Sequence, residues 1–267
     1  MHELAFVFAG FAVGLIVGLT GVGGGSLMTP ILIFFFGVKP HMAVGTDLLF
    51  AAFTKMGGTV SLARQRLVPW KVVGQLCAGS IPAALLALWA LKAIGPASGT
   101  AQSIMTTTLG FALLLTAAAT LYKAIAFSAQ RQADEAAARK AHAGDPTRPR
   151  HWSLPVLLGA VIGTLVTFTS VGAGAIGVTV LLLVYPLLPL PRVIGADIAY
   201  AVPLTLVAGL GHASLGSVDW PLLAQLLAGS LPGIWLGSRL VTRTPERLIR
   251  SALSVLLAWA GFKLILI

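Results

Sequence analysis

Two glycine-rich segments interrupt apolar stretches of this sequence, and they are its first candidates for a binding site. Neither segment contains a carboxylate, and both offer backbone N–H groups and hydroxyls that suit an anion. A helix starting after each segment would add the partial positive charge of its N-terminus. Tight helix packing is the alternative for such glycines, but their corresponding places in the chain favour a site. The candidate binding residues are Thr20, Gly21, Gly23, Gly24, Gly25, Ser26, Thr169, Ser170, Gly172 and Gly174.

Charged residues also lie inside apolar stretches, where they are costly and tend to be functional. Asp47 and Asp197 occupy corresponding positions and are candidates for coupling a proton; capping of their own helix starts is an equally open interpretation. Lys55 lies two turns beyond Asp47, and its counterpart is the neutral Thr205. We expect Lys55 to neutralise a bound anion, with pairing to Asp47 or snorkelling as the alternatives. His212 ends an apolar segment, which suggests an interfacial side chain that could titrate.

The elements that must position these residues are membrane-spanning helices. Of the 267 residues, 57% are hydrophobic and only 10% are charged, too few to cover a water-facing surface. The net charge of +10 could indicate nucleic acid, but the Lys and Arg residues lie in loops, as the positive-inside bias requires. We therefore expect the lipid bilayer as a partner and no nucleic acid. Metal-ligand and cofactor motifs are absent from the sequence, so we expect no metal site and no cofactor.

Apolar segments divide the chain into two halves of about five segments each. The charge-free run 4–38 is too long for one crossing and is broken by its glycines, so we predict two short helices joined by a loop. The other segments are 43–63, 72–91, 104–122, 154–168, 175–188, 193–212, 222–236 and 248–267. The sequence thus predicts a first repeat over 1–127, a cytoplasmic linker over 128–151 and a second repeat over 152–267.

The second half repeats the first in sequence and reverses it in charge. Residues 75–82 (QLCAGSIP) match 225–232 (QLLAGSLP), and Trp70 matches Trp220. The loop 64–71 carries three positive charges, its counterpart 214–219 carries none, and the next pair of loops shows the opposite bias. The sequence therefore predicts an all-α polytopic membrane protein of two inverted-topology repeats, each opened by a glycine-broken helix pair. Full crossings and re-entrant hairpins both remain open for these pairs.

Several of these motifs together resemble the sulfite exporter TauE/SafE family of bacterial membrane permeases. The resemblance rests on the first glycine segment with Pro30 after it, on GTDLL at 45–49, on VPW at 68–70 and on the duplicated QLxAGSxP segment. It covers nearly the whole chain and implies export of a small anion, often sulfite or an organosulfonate, across the bacterial inner membrane. The second glycine segment departs from the first, and Asp at 47 and 197 replaces the neutral polar residue of many members, so the resemblance leaves the exact anion open.

Two other functions compete with a secondary transporter. An intramembrane aspartyl enzyme would need Asp47 and Asp197 close enough to share a proton, whereas inverted halves place them towards opposite faces. A passive anion channel would differ from a carrier in lacking saturable, gradient-coupled flux. We therefore predict a transporter without catalytic residues and leave a homo-oligomer open.

The reversal of loop charge makes a direct prediction of topology. Cysteine-accessibility labelling should find the loop at Gln65 in the cytoplasm and the loop at Ser217 outside, because equivalent loops of inverted halves face opposite sides. Labelling of both loops from one side contradicts the inverted repeat.

Overall fold

The protein is all-helical throughout the part of the chain that the structure describes. This structure is a computed structural model that describes residues 2–20, 25–126, 147, 153–172, 174–185, 187–240 and 246–265. Most of the predicted linker, 128–151, lies outside these residues. The helices within them are α1 (His2–Thr20), α2 (Gly25–Phe36), α3 (Pro40–Arg64), α4 (Trp70–Ile94), α5 (Gly99–Ala126), α6 (Leu154–Thr169), α7 (Ala175–Val184), α8 (Leu190–Ser214), α9 (Trp220–Leu240) and α10 (Glu246–Ile265). The predicted all-α class is confirmed.

Helix length separates crossing segments from shorter ones. Among the described residues, α4, α8 and the part Gly99–Leu121 of α5 are long and apolar enough to cross a membrane. In contrast, α2 and α7 have 12 and 10 residues, which correspond to about 18 and 15 Å of helix. A hydrocarbon core of about 30 Å is too thick for either. Each opening helix pair therefore contains one half-length helix, which argues against two full crossings per pair.

The backbone repeats itself between the halves. Helices α3 and α8 both have 25 residues, and each carries a proline in its first turn. Their N-cap residues, Lys39 and Pro189, have nearly the same dihedral angles, with φ −59° in both and ψ 140° and 141°. Just beyond the two helices, Arg66 (φ 57°) and Gly216 (φ 70°) both adopt the left-handed conformation. Only glycine adopts this conformation without strain, so Arg66 matches the backbone of Gly216 at a cost in conformational energy.

Helix packing is symmetric when the halves are exchanged. Helix α1 packs on α9 as α6 packs on α4, while α3 pairs with α8 and α5 pairs with α10. Helices α3 and α8 run antiparallel, because Gly45 lies against His212 and Gly58 lies against Ile198. Equivalent helices that pair in opposite directions are what a two-fold axis perpendicular to them produces.

Small residues allow the α1–α9 and α4–α6 pairs to approach backbone to backbone, as is common between membrane helices. A Cβ atom added to Gly163 of α6 would lie 2.7 Å from Cα of Ser80 on α4, and one added to Gly14 of α1 would meet Ser230 on α9 at the same distance. Both serines are fully buried. These contacts leave no space for even one methyl group.

The close approach predicts a sharp difference between two glycines of the α4–α6 pair. Gly163→Ala should lower the free energy of unfolding by roughly 1–3 kcal/mol through overpacking. Gly74 on α4 is the matched control, because a Cβ there meets nothing within 4 Å. Gly74→Ala should be neutral or stabilising by about 0.5–1 kcal/mol. Thermal unfolding of the purified protein in detergent measures both, and equal melting temperatures for the two variants would contradict this packing.

The structure also changes how the topology prediction should be tested. Ser217 is only 1% exposed, so a cysteine there would escape labelling whichever side its loop faces. Ser214 and Gln65 are exposed and are the better reporter positions. Cys77 is the only native cysteine, and a Cys77→Ala background removes it.

Candidate functional site

The contact between α3 and α8 buries three charged residues together. Asp47 and Lys55 come from α3 and Asp197 from α8, with 0%, 9% and 2% of their surfaces exposed. Lys55 interacts electrostatically with both carboxylates, more strongly with Asp197. The predicted candidates for coupling and for anion neutralisation therefore lie along one helix contact at different levels, and we call these three residues the charged cluster.

The two carboxylates do not form a pair that could share one proton. The antiparallel register of α3 and α8, fixed by the Gly45–His212 and Gly58–Ile198 contacts, places the level of Asp197 about 12 residues along α3 from Asp47. At 1.5 Å per residue the two levels are roughly 18 Å apart, whereas an aspartyl dyad needs contact. Lys55 lies between the two levels. This geometry agrees with the sequence argument against an intramembrane aspartyl enzyme.

Asp47 is held by residues of both halves. Thr29 of α2 donates a hydrogen bond to its Oδ2, and the Ser170 hydroxyl at the end of α6 also interacts with its carboxylate. Within the described residues, neither Oδ1 of Asp47 nor Oγ of Ser170 has a hydrogen bond of standard geometry. Asp47 is two turns inside α3, so capping of its own helix, one of the two interpretations of the sequence, is wrong.

Asp197 caps a neighbouring helix instead of its own. The N–H of Gly174, at the N-cap of α7, donates to Oδ1 of Asp197 over 3.3 Å. A side chain at Gly177 would collide with the same oxygen, so the first turn of α7 packs directly on the carboxylate. The fully buried Tyr200 also interacts with Asp197, and its counterpart in the first half is Phe50. Together with Lys55 and Thr205, this second difference makes the surroundings of the two carboxylates unequal.

The loop between α6 and α7 is held by its own hydrogen bonds. Thr169 donates to the carbonyl of Leu165 (2.6 Å) and accepts from the N–H of Val171 (3.1 Å). Gly172 and Gly174 have φ angles of 133° and 132°, which favour glycine. Ser170 is left-handed as well, at φ 59°, and a non-glycine residue in this conformation is characteristic of functional sites.

The predicted binding residues of this loop thus have different roles. Ser170 faces Asp47, and Gly174 binds Asp197. Thr169 stabilises the loop backbone, and Gly172 supplies its conformation. Of the first loop, Gly21, Gly23 and Gly24 lie outside the described residues, while Thr20, Gly25 and Ser26 are described as backbone of α1 and α2 only. That the two loops face one cavity stays a prediction.

Carboxylates from other helices add to the electrostatics of the second loop. The loop sequences contain no carboxylate of their own, which predicted a local field that favours an anion over a cation. Asp47 and Asp197, however, reach the second loop from α3 and α8. With both ionised, the charged cluster has a formal charge of 1 − 2 = −1. Sequence spacing did not reveal this, because the contacts are made between helices far apart in the chain.

Sequence reasoning also missed or misjudged individual residues. Thr29, the hydrogen-bond donor to Asp47, was not among the candidates, although it lies one turn into the helix after the first glycine segment. His212 is not interfacial but fully buried, with Nε2 3.0 Å from the carbonyl oxygen of Thr167. Its position at the end of an apolar segment gave no sign of this, because α6 covers it.

The family model and the relatives that match this chain all carry the names of transporters. The family model described as sulfite exporter TauE/SafE matches residues 6–264. The chain is 34% identical to the probable membrane transporter protein YjnA of Bacillus subtilis, over 98% of this chain and all of that one. It is 23% identical to the probable membrane transporter protein YdhB of the same organism, over 96% and 97% of the two chains. No solved structure gives a significant match.

The charged cluster predicts a thermodynamic coupling between Lys55 and Asp197. Lys55→Met should destabilise the protein by about 3–5 kcal/mol, because it leaves buried carboxylates without their cation. Adding Asp197→Asn should recover part of that loss, since the amide no longer needs the lysine. Unfolding of the two single variants and the double variant in detergent measures the coupling, and strictly additive losses would show that the two side chains do not interact.

Proposed function

Since the chain belongs to the sulfite exporter TauE/SafE family, we propose that it exports a small oxoanion, sulfite or an organosulfonate, across the bacterial inner membrane by alternating access. The observation that carries the proposal is the charged cluster buried between α3 and α8 beside the α6–α7 loop. Charges buried between membrane helices characteristically line the pathways of transported ions. The related chains carry the names of membrane transporters.

The donors of the cluster suit an oxoanion. The Lys55 ammonium group, the Ser170 hydroxyl and the N–H groups at the start of α7 lie around the two carboxylates. Each can replace a water molecule in the hydration shell of an anionic oxygen. A single lysine favours a small monoanion, or a dianion that arrives with a proton.

Charge balance couples anion binding to protons. With both carboxylates ionised the cluster is formally −1 and repels an anion, an effect amplified by the low dielectric of the helix contact. Protonation of Asp47 or Asp197 makes the cluster neutral, and protonation of both makes it +1. Anion and proton therefore bind together and cross together. Export of a monoanion with one proton is electroneutral, and the accumulated substrate drives it down its own gradient.

Two inverted halves supply the alternating access. The antiparallel pairing of α3 with α8, the exchange symmetry of the packing and the reversal of loop charge all support opposite membrane orientations. In this orientation Arg64 and Arg66 face the cytoplasm, and the end of α8 at Ser214 faces outside. Rocking of one half against the other would open the cluster to each side in turn.

Anion counterflow in proteoliposomes tests the proposal. Vesicles loaded with unlabelled sulfite should accumulate labelled sulfite through the wild-type protein, because a carrier exchanges its substrate and a channel does not. Lys55→Met should lower this exchange roughly 30-fold or more, the cost of losing one buried charged contact. Lys92→Met is the control, because this lysine is exposed at the end of α4. Flux that grows linearly with concentration and shows no counterflow would replace the carrier with a channel.

The same vesicles test the coupling. An alkaline external buffer should accelerate sulfite export by the wild type, because the proton leaves with the anion. Asp47→Asn or Asp197→Asn should retain exchange and lose this response, since an amide cannot titrate. If both variants still follow the pH gradient, the carboxylates are structural and the coupling resides elsewhere.

A further inference from the structure

A second group of buried polar side chains lies at one end of the α3–α8 pair. His41 at the start of α3 is 7% exposed, His212 near the end of α8 is fully buried, and Ser217 just after α8 is 1% exposed. A Cβ atom at Gly45 would lie 3.0 Å from Cβ of His212, and His41 is one turn before Gly45 on the same helix. The two imidazoles interact electrostatically and form, with Ser217, what we call the histidine group.

The hydrogen bond of His212 settles which of its nitrogens is available. Nε2 lies 3.0 Å from the carbonyl oxygen of Thr167. A carbonyl only accepts, so Nε2 carries a hydrogen and donates it. In the neutral ring Nδ1 then holds the lone pair, and among the described residues this atom has no hydrogen-bond partner. Buried polar atoms in this condition are rare and costly, so His212 presents a proton acceptor inside the protein.

Within the described ranges, buried polar atoms without a hydrogen-bond partner occur in the histidine group, in the charged cluster and at the end of α6. In the part of the chain that the structure describes, eight buried side-chain polar atoms lack a partner. Five of them belong to His41, His212, Ser217, Ser170 and Asp47. The end of α6 connects the two groups, since the carbonyl of Thr167 binds His212 and Ser170, three residues on, interacts with Asp47.

The end of α6 favours a positive charge on His212. The Thr167 carbonyl belongs to the last turn of α6, and the partial negative charge of a helix C-terminus stabilises an imidazolium. Helix α4 places the apolar Leu88 against Gly211, near this end of α8. Near this end, the charged and titratable groups of α3 and its N-cap are Lys39, His41 and Asp47, and that of the segment after α8 is Asp219.

The histidine group exists at one end of the molecule only. At the offset of the repeat, the counterpart of His41 is Pro191 and that of His212 is Leu62, and neither can bind a proton. The backbones of α3 and α8 correspond closely in length and in the dihedral angles of their N-caps. A proton acceptor that is present at one end of the α3–α8 pair and absent from the corresponding end indicates a function on one face of the membrane.

We propose that His212, assisted by His41, carries protons between Asp47 and the external medium. The inference rests on the proposed function and on the orientation assigned there, in which Ser214 and the histidine group face outside. During export, the proton leaves Oδ1 of Asp47 and is transferred to Nδ1 of His212, which becomes an imidazolium with both nitrogens protonated. The same Nδ1 then releases the proton to water or His41, so the imidazole returns to its starting tautomer and one proton reaches the outside.

Right-side-out membrane vesicles containing the full-length protein separate this role from transport itself. Exchange of labelled for unlabelled sulfite at equal pH needs no net proton transfer, whereas net flux after a jump in external pH does. His212→Gln keeps an amide N–H for the Thr167 carbonyl and removes the titrating nitrogen. It should leave exchange unchanged and slow pH-driven flux roughly 100-fold, the scale of one proton-transfer group. His41→Gln should slow that flux less, and His142→Gln, in the linker sequence, should not change it.

The other possible outcomes are distinguished by comparing sulfite exchange with pH-driven flux. If His212→Gln responds to the pH jump as the wild type does, the proposed relay is wrong and the proposed transport function is unaffected. If exchange and pH-driven flux fall together in variant protein of normal stability, His212 has a structural role and the relay is again wrong. If the wild type exchanges sulfite but ignores external pH, proton coupling fails and the relay fails with it. If the wild type exchanges no sulfite at all, the proposed function itself is wrong.

Discussion

The cost of burying ionised groups is the constraint on which the rest of the structure depends. Asp47, Lys55 and Asp197 are almost completely removed from water where α3 meets α8, and each such group costs several kcal/mol unless it is compensated. Compensation comes from elements far apart in the chain: Thr29 on α2, Ser170 after α6 and Gly174 before α7. Thr29 lies one turn into the half-length helix α2, and Gly174 is the N-cap of the half-length helix α7, so two of the three donors come from the starts of short helices.

The compensation of the buried charges is unequal in the two halves. Similar backbones hold chemically different groups: Lys55 corresponds to Thr205, and Tyr200 corresponds to Phe50. Two inverted halves with the same backbone and identical side chains would respond in the same way to conditions on either side of a membrane. The differences near Asp197 and at the end of α8 remove that equivalence without disturbing the helix packing, because they lie in side chains and leave the small-residue contacts intact.

The architecture could be predicted from the sequence to a large extent, because it depends on local and periodic signals. The apolar segments 43–63, 72–91 and 193–212 lie inside the helices that the structure assigns as α3, α4 and α8. The break between α1 and α2 follows from the conformational freedom of consecutive glycines. Asp47, Lys55 and Asp197 could be selected as site residues because charges are rare in such segments.

The site itself could be predicted only in part, because its contacts are made across helix interfaces. Asp47 and Asp197 were located, but their partners were not, since no spacing in the sequence relates position 29 to 47 or 174 to 197. Thr169 carries a hydroxyl in a glycine loop and so resembled a ligand, but its local backbone bonds use that hydroxyl. His212 stands at the end of an apolar run, and only the arrival of α6 turns that end into an interior.

The crossed pairing of α1 with α9 and of α4 with α6 has a consequence for how the chain is made. During synthesis α4 is already present when α6 emerges, so that interface can close at once. Among the described helices α1 is synthesised first, and its partner α9 is the last but one. The glycine face of α1, with Gly10 and Gly14, therefore waits in lipid while almost the entire protein is inserted. The α4–α6 interface can therefore form early in biogenesis, whereas the similar α1–α9 interface forms only after α9 has been inserted and reaches α1.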